Sequence, residues 1–170
     1  MSSMPALRIA VSNVNPTFTS IAESDPQDII FDVDGTLADV THRRHFVEMK
    51  PKNWDSFYAG MIGDIPIQPV VMMAQLLKSA GHRIIIATGR PRRYNNITLQ
   101  FLRDNDILYD AAYLRADKDY RPDTIVKENM LRKMKINGYD PTIALDDRKS
   151  VVQMWRANGL FVVQVDEGNF

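Results

Sequence analysis

Short apolar runs alternate with amphipathic stretches along most of this chain. The runs lie at residues 29–33, 83–87, 111–114, 142–145 and 160–165. Their nearly continuous hydrophobicity is typical of strands buried on both faces. Between the runs, residues 69–80, 92–104, 122–136 and 148–158 carry apolar side chains at helical spacing. Five strands that alternate with helices predict an α/β fold with a mostly parallel five-stranded sheet.

The same periodicity predicts which large side chains face the interior. On the helix predicted over residues 122–136, we expect Ile125, Met130 and Met134 to point inward. On the helix predicted over residues 148–158, we expect Trp155 to belong to the core.

The first 27 residues follow a different pattern, with Pro5, Pro16 and Pro26 and little periodicity. We expect residues 1–27 to be a flexible or loosely docked leader in which residues 7–11 can form a short strand. No apolar run approaches the roughly 20 residues that a membrane-spanning helix needs. The first 12 residues make a poor signal peptide, so we expect a cytoplasmic protein with no membrane partner.

The composition indicates one domain and removes several kinds of chemistry. The chain has 170 residues, 45% of them apolar, and its 21 basic and 21 acidic side chains cancel. A net charge of zero argues against binding nucleic acid by bulk charge alone. The absence of cysteine excludes disulfides, thiol catalysis and thiolate metal sites. Three histidines do not make a multi-histidine metal site, and we expect ordinary polar roles for them.

Acidic residues follow the first predicted strand, in the sequence Asp32-Val33-Asp34-Gly35-Thr36. Residues two apart on an extended chain point to the same side, so both carboxylates can face one site. Two such carboxylates repel each other unless a proton or a cation separates them. Oxygen ligands of this kind suit a divalent metal, and magnesium favours them. Gly35 allows the chain to turn tightly beside the site.

Three further clusters follow later strands. Thr88-Gly89-Arg90 offers a hydroxyl, a backbone N–H and a forked cation, all suited to phosphate. Lys127, on the helix after the third strand, supplies a second cation, and Asp146-Asp147-Arg148 supplies two further acids. Each cluster alone is compatible with a turn, a strand-to-helix junction or a helix cap. Together, at one end of a parallel sheet, they predict a magnesium ion beside a phosphate.

This set of motifs resembles the haloacid dehalogenase (HAD) superfamily of phosphotransferases over roughly residues 28–170. The resemblance implies a Rossmann-like three-layer sandwich in which Asp32 is the nucleophile and forms an aspartyl-phosphate. It implies that Asp34 protonates the leaving group and then activates water, and that Thr88 and Lys127 hold the phosphoryl oxygens. The implied ligands of Mg²⁺ are Asp32, the backbone carbonyl of Asp34 and Asp146, with Asp147 in a supporting position.

Within that superfamily the sequence looks most like the 3′-phosphatase domain of bacteriophage polynucleotide kinase/phosphatases. The likeness is carried by residues 32–38, by Thr88-Gly89-Arg90, by residues 123–128 and most strongly by Ala144-Leu145-Asp146-Asp147-Arg148. It implies substrate-binding roles for Arg90 with its neighbour Gly89, for Asp123, and for Arg43, which lies eleven residues after the nucleophile.

The chain also departs from that family. It contains no Gly-x-x-x-x-Gly-Lys-Ser/Thr motif, so we do not expect it to phosphorylate 5′ ends by the P-loop mechanism. In HAD enzymes a cap is inserted between the first two motifs. Here Asp32 and Thr88 are 56 positions apart, which leaves room for only a small cap over residues 39–67.

A small cap leaves the site open and favours a bulky substrate. Residues 90–135 contain eleven basic and seven acidic side chains, a local excess of four cations. Trp54, Phe57 and Tyr58 can stack a nucleobase or pack beneath the cap. The sequence thus predicts a Mg²⁺-dependent phosphomonoesterase acting on a polynucleotide end, most simply the 3′ end. Mononucleotides or another small phosphometabolite remain alternative substrates, as does a non-catalytic module that binds phosphorylated ends. No protein partner can be inferred.

Overall fold

The strand predicted first in the sequence lies at the centre of the sheet. In the computed structural model, which describes residues 25–168, β1 (Asp28–Phe31) pairs in parallel with two strands, β4 (Arg83–Pro91) and β6 (Pro141–Arg148). The edge strands β5 (Ala111–Arg115) and β7 (Phe161–Gly168) complete the spatial order β5-β4-β1-β6-β7. All four pairings are parallel. The predicted leader up to residue 24 and its strand at residues 7–11 lie outside the described residues.

Helices connect these strands and cover both faces of the sheet. The longer ones are α3 (Gln68–Ser79), α4 (Asn95–Asp104), α5 (Asp123–Ile136) and α6 (Lys149–Ala157). Gly81, Gly138 and Gly159 follow α3, α5 and α6, and each has a positive φ. Glycine adopts this backbone conformation without the steric clash that a Cβ would cause, so the chain can turn sharply at the end of each helix. Within residues 25–168, none of the helices is long and apolar enough to cross a membrane.

Alternating residues of the central strands build two separate cores, which makes the fold a three-layer sandwich. Ile29, Phe31 and Ile84 pack against α3 and α4, whereas Ile30 and Ile85 pack against α5 and α6. Because both faces are covered, the middle parts of these strands, residues 29–31 and 84–87, are continuously apolar. Burial of Trp155, Met130 and Met134 in the second core is as predicted. Ile125 is 43% exposed, so its predicted inward orientation is wrong. The helix instead turns Val126 and Lys127 inward.

Two strands continue beyond their apolar runs into the clusters that bear the chemistry. β4 continues through Thr88-Gly89-Arg90 and β6 continues through Asp146-Asp147-Arg148, so these clusters end their strands rather than follow them. The pairing becomes irregular at these points, after Thr88 and after Asp146. Apolar runs reveal only the part of a strand that the core covers, and the polar ends that bear the chemistry lie beyond it.

The segment predicted as a small cap folds as a unit beside the sheet. Two short strands, β2 (Ala38–Asp39) and β3 (Ile65–Pro66), pair antiparallel at its base. Between them lie α1 (Thr41–Glu48), α2 (Trp54–Ala59) and a 3₁₀ turn, Gly60–Gly63. This segment has its own apolar cluster of Val47, Phe57, Tyr58 and Met61, which packs against Tyr94 and Ile97. The contact with Ile97 of α4 attaches the segment to the main body.

Candidate active site

All the predicted site residues meet at the carboxyl edge of the sheet. Asp32 follows β1, Thr88 and Arg90 end β4, and Asp146 and Asp147 lie near the end of β6. Parallel strands end together at this edge, and ligands of open α/β sheets bind there. Lys127 reaches the same place from the first turns of α5, and Arg43 reaches it from α1.

Three carboxylates form an acidic cluster at the centre of the site. One oxygen from each of Asp32, Asp146 and Asp147 lies within 4.8 Å of the others. All three residues are almost completely buried. Burial, together with the charge of Asp146, raises the pKa of Asp147 to about 6, which shows how poorly this place tolerates adjacent negative charges.

The cluster is shaped to hold a cation. Oδ2 of Asp147 is buried and has no hydrogen-bond partner within residues 25–168. A side chain at Gly35 or at Gly168 would collide with the Asp147 carboxylate, so two glycines make room for it. A buried carboxylate oxygen without a partner, next to two further carboxylates, fits the oxygen-rich coordination of a divalent metal. The residues present therefore fit such an ion.

Lys127 supplies the positive charge that the acidic cluster needs. Its Nζ lies 2.8 Å from Oδ2 of Asp146 and 3.0 Å from Oδ1 of Asp32. Burial opposes the charged ammonium, but the surrounding carboxylates outweigh it, and the pKa of Lys127 is raised. The pKa of Asp32 is raised by its own burial and by Asp146 and Asp147, against the opposing effect of Lys127. Lys127 is thus a permanent cation beside Asp32.

Asp34 faces a different set of partners. Its Oδ1 accepts hydrogen bonds from Nη2 of Arg43 at 2.7 Å and from Nε of Arg90 at 2.8 Å. The same two guanidinium groups also bond Asp64, with Nε of Arg43 at 2.6 Å and Nη2 of Arg90 at 2.5 Å from its oxygens. Two arginines and two aspartates therefore form a closed, buried network. Asp34 is not one of the three carboxylates of the acidic cluster.

The arginines hold Asp34 in its ionised form. Burial favours the neutral acid, but the charges of Arg90 and Arg43, with their hydrogen bonds, lower the pKa of Asp34. In the protein without substrate, Asp34 is consequently a carboxylate at neutral pH, ready to accept a proton rather than to donate one.

Of the remaining predicted residues, Gly89 and Asp123 line the cleft at Asp32, whereas Thr88 is completely buried. The hydroxyl of Thr88 accepts a hydrogen bond of 3.2 Å from the backbone N–H of Arg90. A Cβ at Gly89 would lie 2.9 Å from Oδ1 of Asp123, so glycine lets that carboxylate approach β4. Nη2 of Arg115 donates to Asp123 at 2.8 Å, and its Nε donates to the carbonyl of Gly89 at 3.0 Å. Asp123, the first residue of α5, therefore contacts both Gly89 of β4 and Arg115 of β5.

A cleft of about 590 Å³ opens above Asp32 and Asp34. One wall comes from α2, where Trp54, Phe57 and Tyr58 line the cleft. Phe57 and Tyr58 are buried in the cluster of the inserted segment, so packing is their main role, whereas Trp54 is 42% exposed. The ring of Tyr58 stacks between Trp54 and Tyr94, with ring centroids 5.9 and 5.0 Å apart. These three stacked rings form the aromatic wall of the cleft.

The opposite wall is a polar loop between β5 and α5. Tyr120 lies on it and is 90% exposed. Six cations line the cleft, namely Lys52, Arg93, Arg115, Lys118, Arg121 and Arg148, beside six acids, namely Asp32, Asp34, Asp55, Asp119, Asp123 and Asp147. Lys52 and Arg93 lie over the rings of Trp54 and Tyr94. Aromatic rings together with cations in one cleft suit a ligand with both flat rings and phosphates.

Sequence reasoning missed three residues of this site. Asp64 follows a glycine in an apparent turn, and no local pattern distinguishes it from a solvated acid. Arg115 ends β5 and holds the loop through the carbonyls of Asp119 and Arg121, at 3.0 and 2.8 Å. Trp155 was predicted only as core, yet its Nε1 donates to Oδ2 of Asp146 at 3.1 Å. The only available signal was that an indole N–H usually finds a partner when buried.

The parallel sheet, the acidic cluster and the buried lysine define an α/β phosphatase of the HAD type. A family model described as "Polynucleotide kinase PNKP phosphatase domain" matches residues 26–170. The chain belongs to this family of phosphatase domains.

Solved structures agree with this placement. One, described as the structure of the Pnkp1/Rnl/Hen1 RNA repair complex, contains a chain 33% identical over 85% of the present sequence, with a TM-score of 0.72. A second, of the Pnkp1/Rnl/Hen1 complex, contains one 32% identical over 90%, also with a TM-score of 0.72. The present sequence covers 44% and 52% of those chains, so it spans about half their length. A predicted phosphatase from Clostridium acetobutylicum, 18% identical with a TM-score of 0.64 over 84% of this chain and 86% of its own, shares the fold.

Proposed function

We propose that this phosphatase is Mg²⁺-dependent, acts through an aspartyl-phosphate on Asp32, and removes 3′-terminal phosphates from polynucleotides. The observation that carries the reaction is the position of Asp32, a buried carboxylate 3.0 Å from the cation Lys127 and open to the cleft. The observation that carries the substrate is the lining of that cleft, which combines the aromatic rings of α2 with six cations.

Asp32, Asp146 and Asp147, whose oxygens lie within 4.8 Å of one another, would hold the metal. When bound, Mg²⁺ supplies positive charge next to the phosphoryl oxygens and offsets the repulsion among the carboxylates. Lys127 and the Thr88 hydroxyl contribute a cation and a hydrogen-bond donor to the same phosphoryl group. These groups offset the charge that develops on the phosphoryl oxygens as the bond to the leaving group breaks.

In the first step, a carboxylate oxygen of Asp32 attacks phosphorus while the bond from phosphorus to the substrate oxygen breaks. The phosphoryl group is then joined to Asp32, and the departing oxygen takes a proton from Asp34. In the second step, Asp34 takes a proton from water, whose oxygen attacks phosphorus, and Asp32 is released with inorganic phosphate. A carboxylate nucleophile divides one difficult hydrolysis into two easier displacements.

Asp34 must hold a proton for the first step and lose it for the second. The arginines keep it ionised before substrate binds. Arg90 is completely buried behind Asp34, and its Nη1 has no hydrogen-bond partner within residues 25–168. We infer that a substrate phosphate bound beside Asp34 draws the guanidinium of Arg90 towards itself, which weakens its hold on Asp34 and raises the pKa of that carboxyl. In this account Arg43 and Asp64 position Arg90, and Arg90 couples substrate binding to the protonation of Asp34.

The walls of the cleft favour a nucleotide-bearing substrate over a small phosphometabolite. A small phosphate ester bound at Asp32 would leave the exposed ring of Trp54 without a contact. It would also leave the cations of the loop between β5 and α5 without a partner. The family relationship and the two relatives from RNA repair complexes support a polynucleotide end as the physiological substrate. The main alternative is a mononucleotide, which fills the same cleft with one base.

Phosphate release from a matched panel of substrates tests this proposal. The panel contains a 3′-phosphorylated and a 5′-phosphorylated oligonucleotide of one sequence, the corresponding 3′- and 5′-mononucleotides, and p-nitrophenyl phosphate, each with Mg²⁺ or EDTA. We expect the highest kcat/KM with the 3′-phosphorylated oligonucleotide, and no release in EDTA or by Asp32→Asn. Preference for a mononucleotide would make the protein a nucleotidase.

The same experiment decides whether the protein is an enzyme or a module that only binds phosphorylated ends. Wild-type protein that binds a 3′-phosphorylated oligonucleotide as tightly as Asp32→Asn does, but releases no phosphate from any substrate, would be a binding module. The intact Asp34 argues for catalysis, because binding alone needs no acid and base beside the nucleophile.

A further inference from the structure

A second groove runs along the outer edge of β5, on the far side of the 3₁₀ turn Arg92–Tyr94 from the cleft. It has a volume of about 540 Å³. Its walls come from that turn, from the start of α4, from β5 and from α5, and its polar lining residues are Arg92, Asn95, Lys133 and Asn137.

The groove is suited to an anion along its length. Its lining contains two cations and two amides, but no acidic side chain. Neither Arg92 nor Lys133 forms an ion pair with any residue between 25 and 168, so both charges are available to a ligand. Nδ2 of Asn137 donates to the Tyr113 hydroxyl at 2.8 Å, which orients one wall. A lining free of acids is notable in a chain whose charges cancel overall.

The groove begins where the catalytic cleft ends. Arg93 lines the cleft and its neighbour Arg92 lines the groove, so the 3₁₀ turn carries a cation into each. In the same way, Arg115 lines the cleft and its neighbour Leu114 lines the groove. A chain-like ligand bound in the cleft therefore needs to pass only one turn of backbone to enter the groove.

We propose that this groove binds the sugar–phosphate backbone of the substrate strand, several nucleotides before the 3′ phosphate that lies at Asp32. The inference rests on the proposed function and extends it from the terminal nucleotide to the strand that precedes it. Arg92 and Lys133 neutralise backbone phosphates, and the amides of Asn95 and Asn137 donate to phosphate or sugar oxygens. A polypeptide pairing with the free edge of β5 is the competing occupant, but it would gain little from two unpaired cations.

The length of the substrate tests the proposal in the wild-type protein. We expect KM for 3′-phosphorylated oligonucleotides to fall by about tenfold from two nucleotides to eight, and then to level off. The double variant Arg92→Glu/Lys133→Glu should remove this gain, so that its KM is the same for two and eight nucleotides. Its kcat/KM for p-nitrophenyl phosphate should stay within about twofold of wild type.

A matched variant controls for the change in overall charge. Arg103→Glu/Lys135→Glu makes the same change in charge at exposed positions of α4 and α5, outside both groove and cleft. It should keep the length dependence of the wild type. In the Asp32→Asn background, Arg92→Gln/Lys133→Gln should reduce the slope of log Kd against log salt by about 1.4, as expected for two lost contacts to a single strand.

The possible results separate the two proposals. Hydrolysis of 3′-phosphorylated oligonucleotides without any length dependence would overturn the groove but leave the proposed function standing. Equal loss of activity by both double variants, or loss on p-nitrophenyl phosphate as well, would also overturn it. Failure of wild-type protein to hydrolyse any 3′-phosphorylated oligonucleotide would overturn the proposed function itself.

Discussion

The indole Nε1 of Trp155 donates a hydrogen bond of 3.1 Å to Oδ2 of Asp146, the same oxygen that lies 2.8 Å from Nζ of Lys127. A residue in the middle of the second core thus orients a carboxylate of the candidate metal site. Because the remaining oxygen, Oδ1, accepts from the backbone N–H of Arg148 at 3.1 Å, the Asp146 carboxylate is held at both ends.

Removal of the indole N–H should weaken metal binding. We expect Trp155→Phe to raise the Mg²⁺ concentration for half-maximal activity by about tenfold, because partners that orient metal ligands have effects of this size. The Mg²⁺ concentration for half-maximal activity is measured by titrating the enzyme with Mg²⁺, and the melting temperature is followed in the same titration. The control is Leu102→Ala, which makes a cavity in the other core. An unchanged Mg²⁺ dependence in Trp155→Phe would show that the bond does not serve the metal.

A methyl group at Gly35 should displace the Asp147 carboxylate. Gly35 has a φ of 83°, and a Cβ there would collide with Asp147. Gly138 is a matched control, because its φ is 85° and a Cβ there meets nothing within 4 Å. Both alanine variants should lose about 1 kcal/mol of stability from backbone strain. Only Gly35→Ala should also lose the rise in melting temperature on adding Mg²⁺, which differential scanning fluorimetry would detect.

Loss of the Asp64 charge should disturb the arginine network. Asp64→Asn leaves Arg43 and Arg90 buried with Asp34 as their single carboxylate, and breaking a buried ion pair costs about 3 kcal/mol or more. We expect this loss in urea unfolding, together with at least a tenfold fall in kcat. Glu48→Gln, at the exposed end of α1, should change stability by less than about 0.5 kcal/mol. Full activity of Asp64→Asn would rule out a positioning role for Asp64.

Truncation of Trp54 should affect substrates that carry a base more than those that do not. Stacking of a base on an aromatic ring contributes about 1–3 kcal/mol, so Trp54→Ala should raise KM for a 3′-phosphorylated oligonucleotide by at least fivefold. Trp54→Phe should recover most of this loss. The informative quantity is the ratio of KM values for the oligonucleotide and p-nitrophenyl phosphate, and a ratio equal to that of wild type would exclude stacking on Trp54.

The stabilising contribution of Asp123 should depend on pH. Burial raises its pKa, but Lys127, Arg148 and Arg115 outweigh that effect and lower the pKa below the ordinary value. A carboxyl with a lowered pKa stabilises the folded protein above about pH 4, and the contribution disappears as pH falls through the pKa of the folded state. The difference in unfolding free energy between wild type and Asp123→Asn should therefore be largest near pH 7 and shrink towards pH 2.5. A constant difference would contradict this account.

The sequence alone was sufficient for the architecture and for most residues at the carboxyl edge, although it missed Arg115 at the end of β5. Burial on both faces makes the central strands continuously apolar, and parallel strands bring their ends together, so Asp32, Thr88 and Asp146 were predictable neighbours. The DxDGT motif and its companions carried the family resemblance. Periodicity failed at Ile125, because the helix turns Lys127 inward and one face cannot bury both.

Contacts between distant parts of the chain were decided only by the tertiary structure. Asp64 meets Arg90 across 26 positions because the inserted segment docks on the sheet, and nothing local to Asp64 signals this. The groove along β5 is the space left between packed elements. The Trp155 N–H reaches Asp146 because the packing of α6 against the sheet places the indole beside the end of β6. Local sequence determines which face of an element is buried, whereas the packing of that face decides which polar groups finally meet.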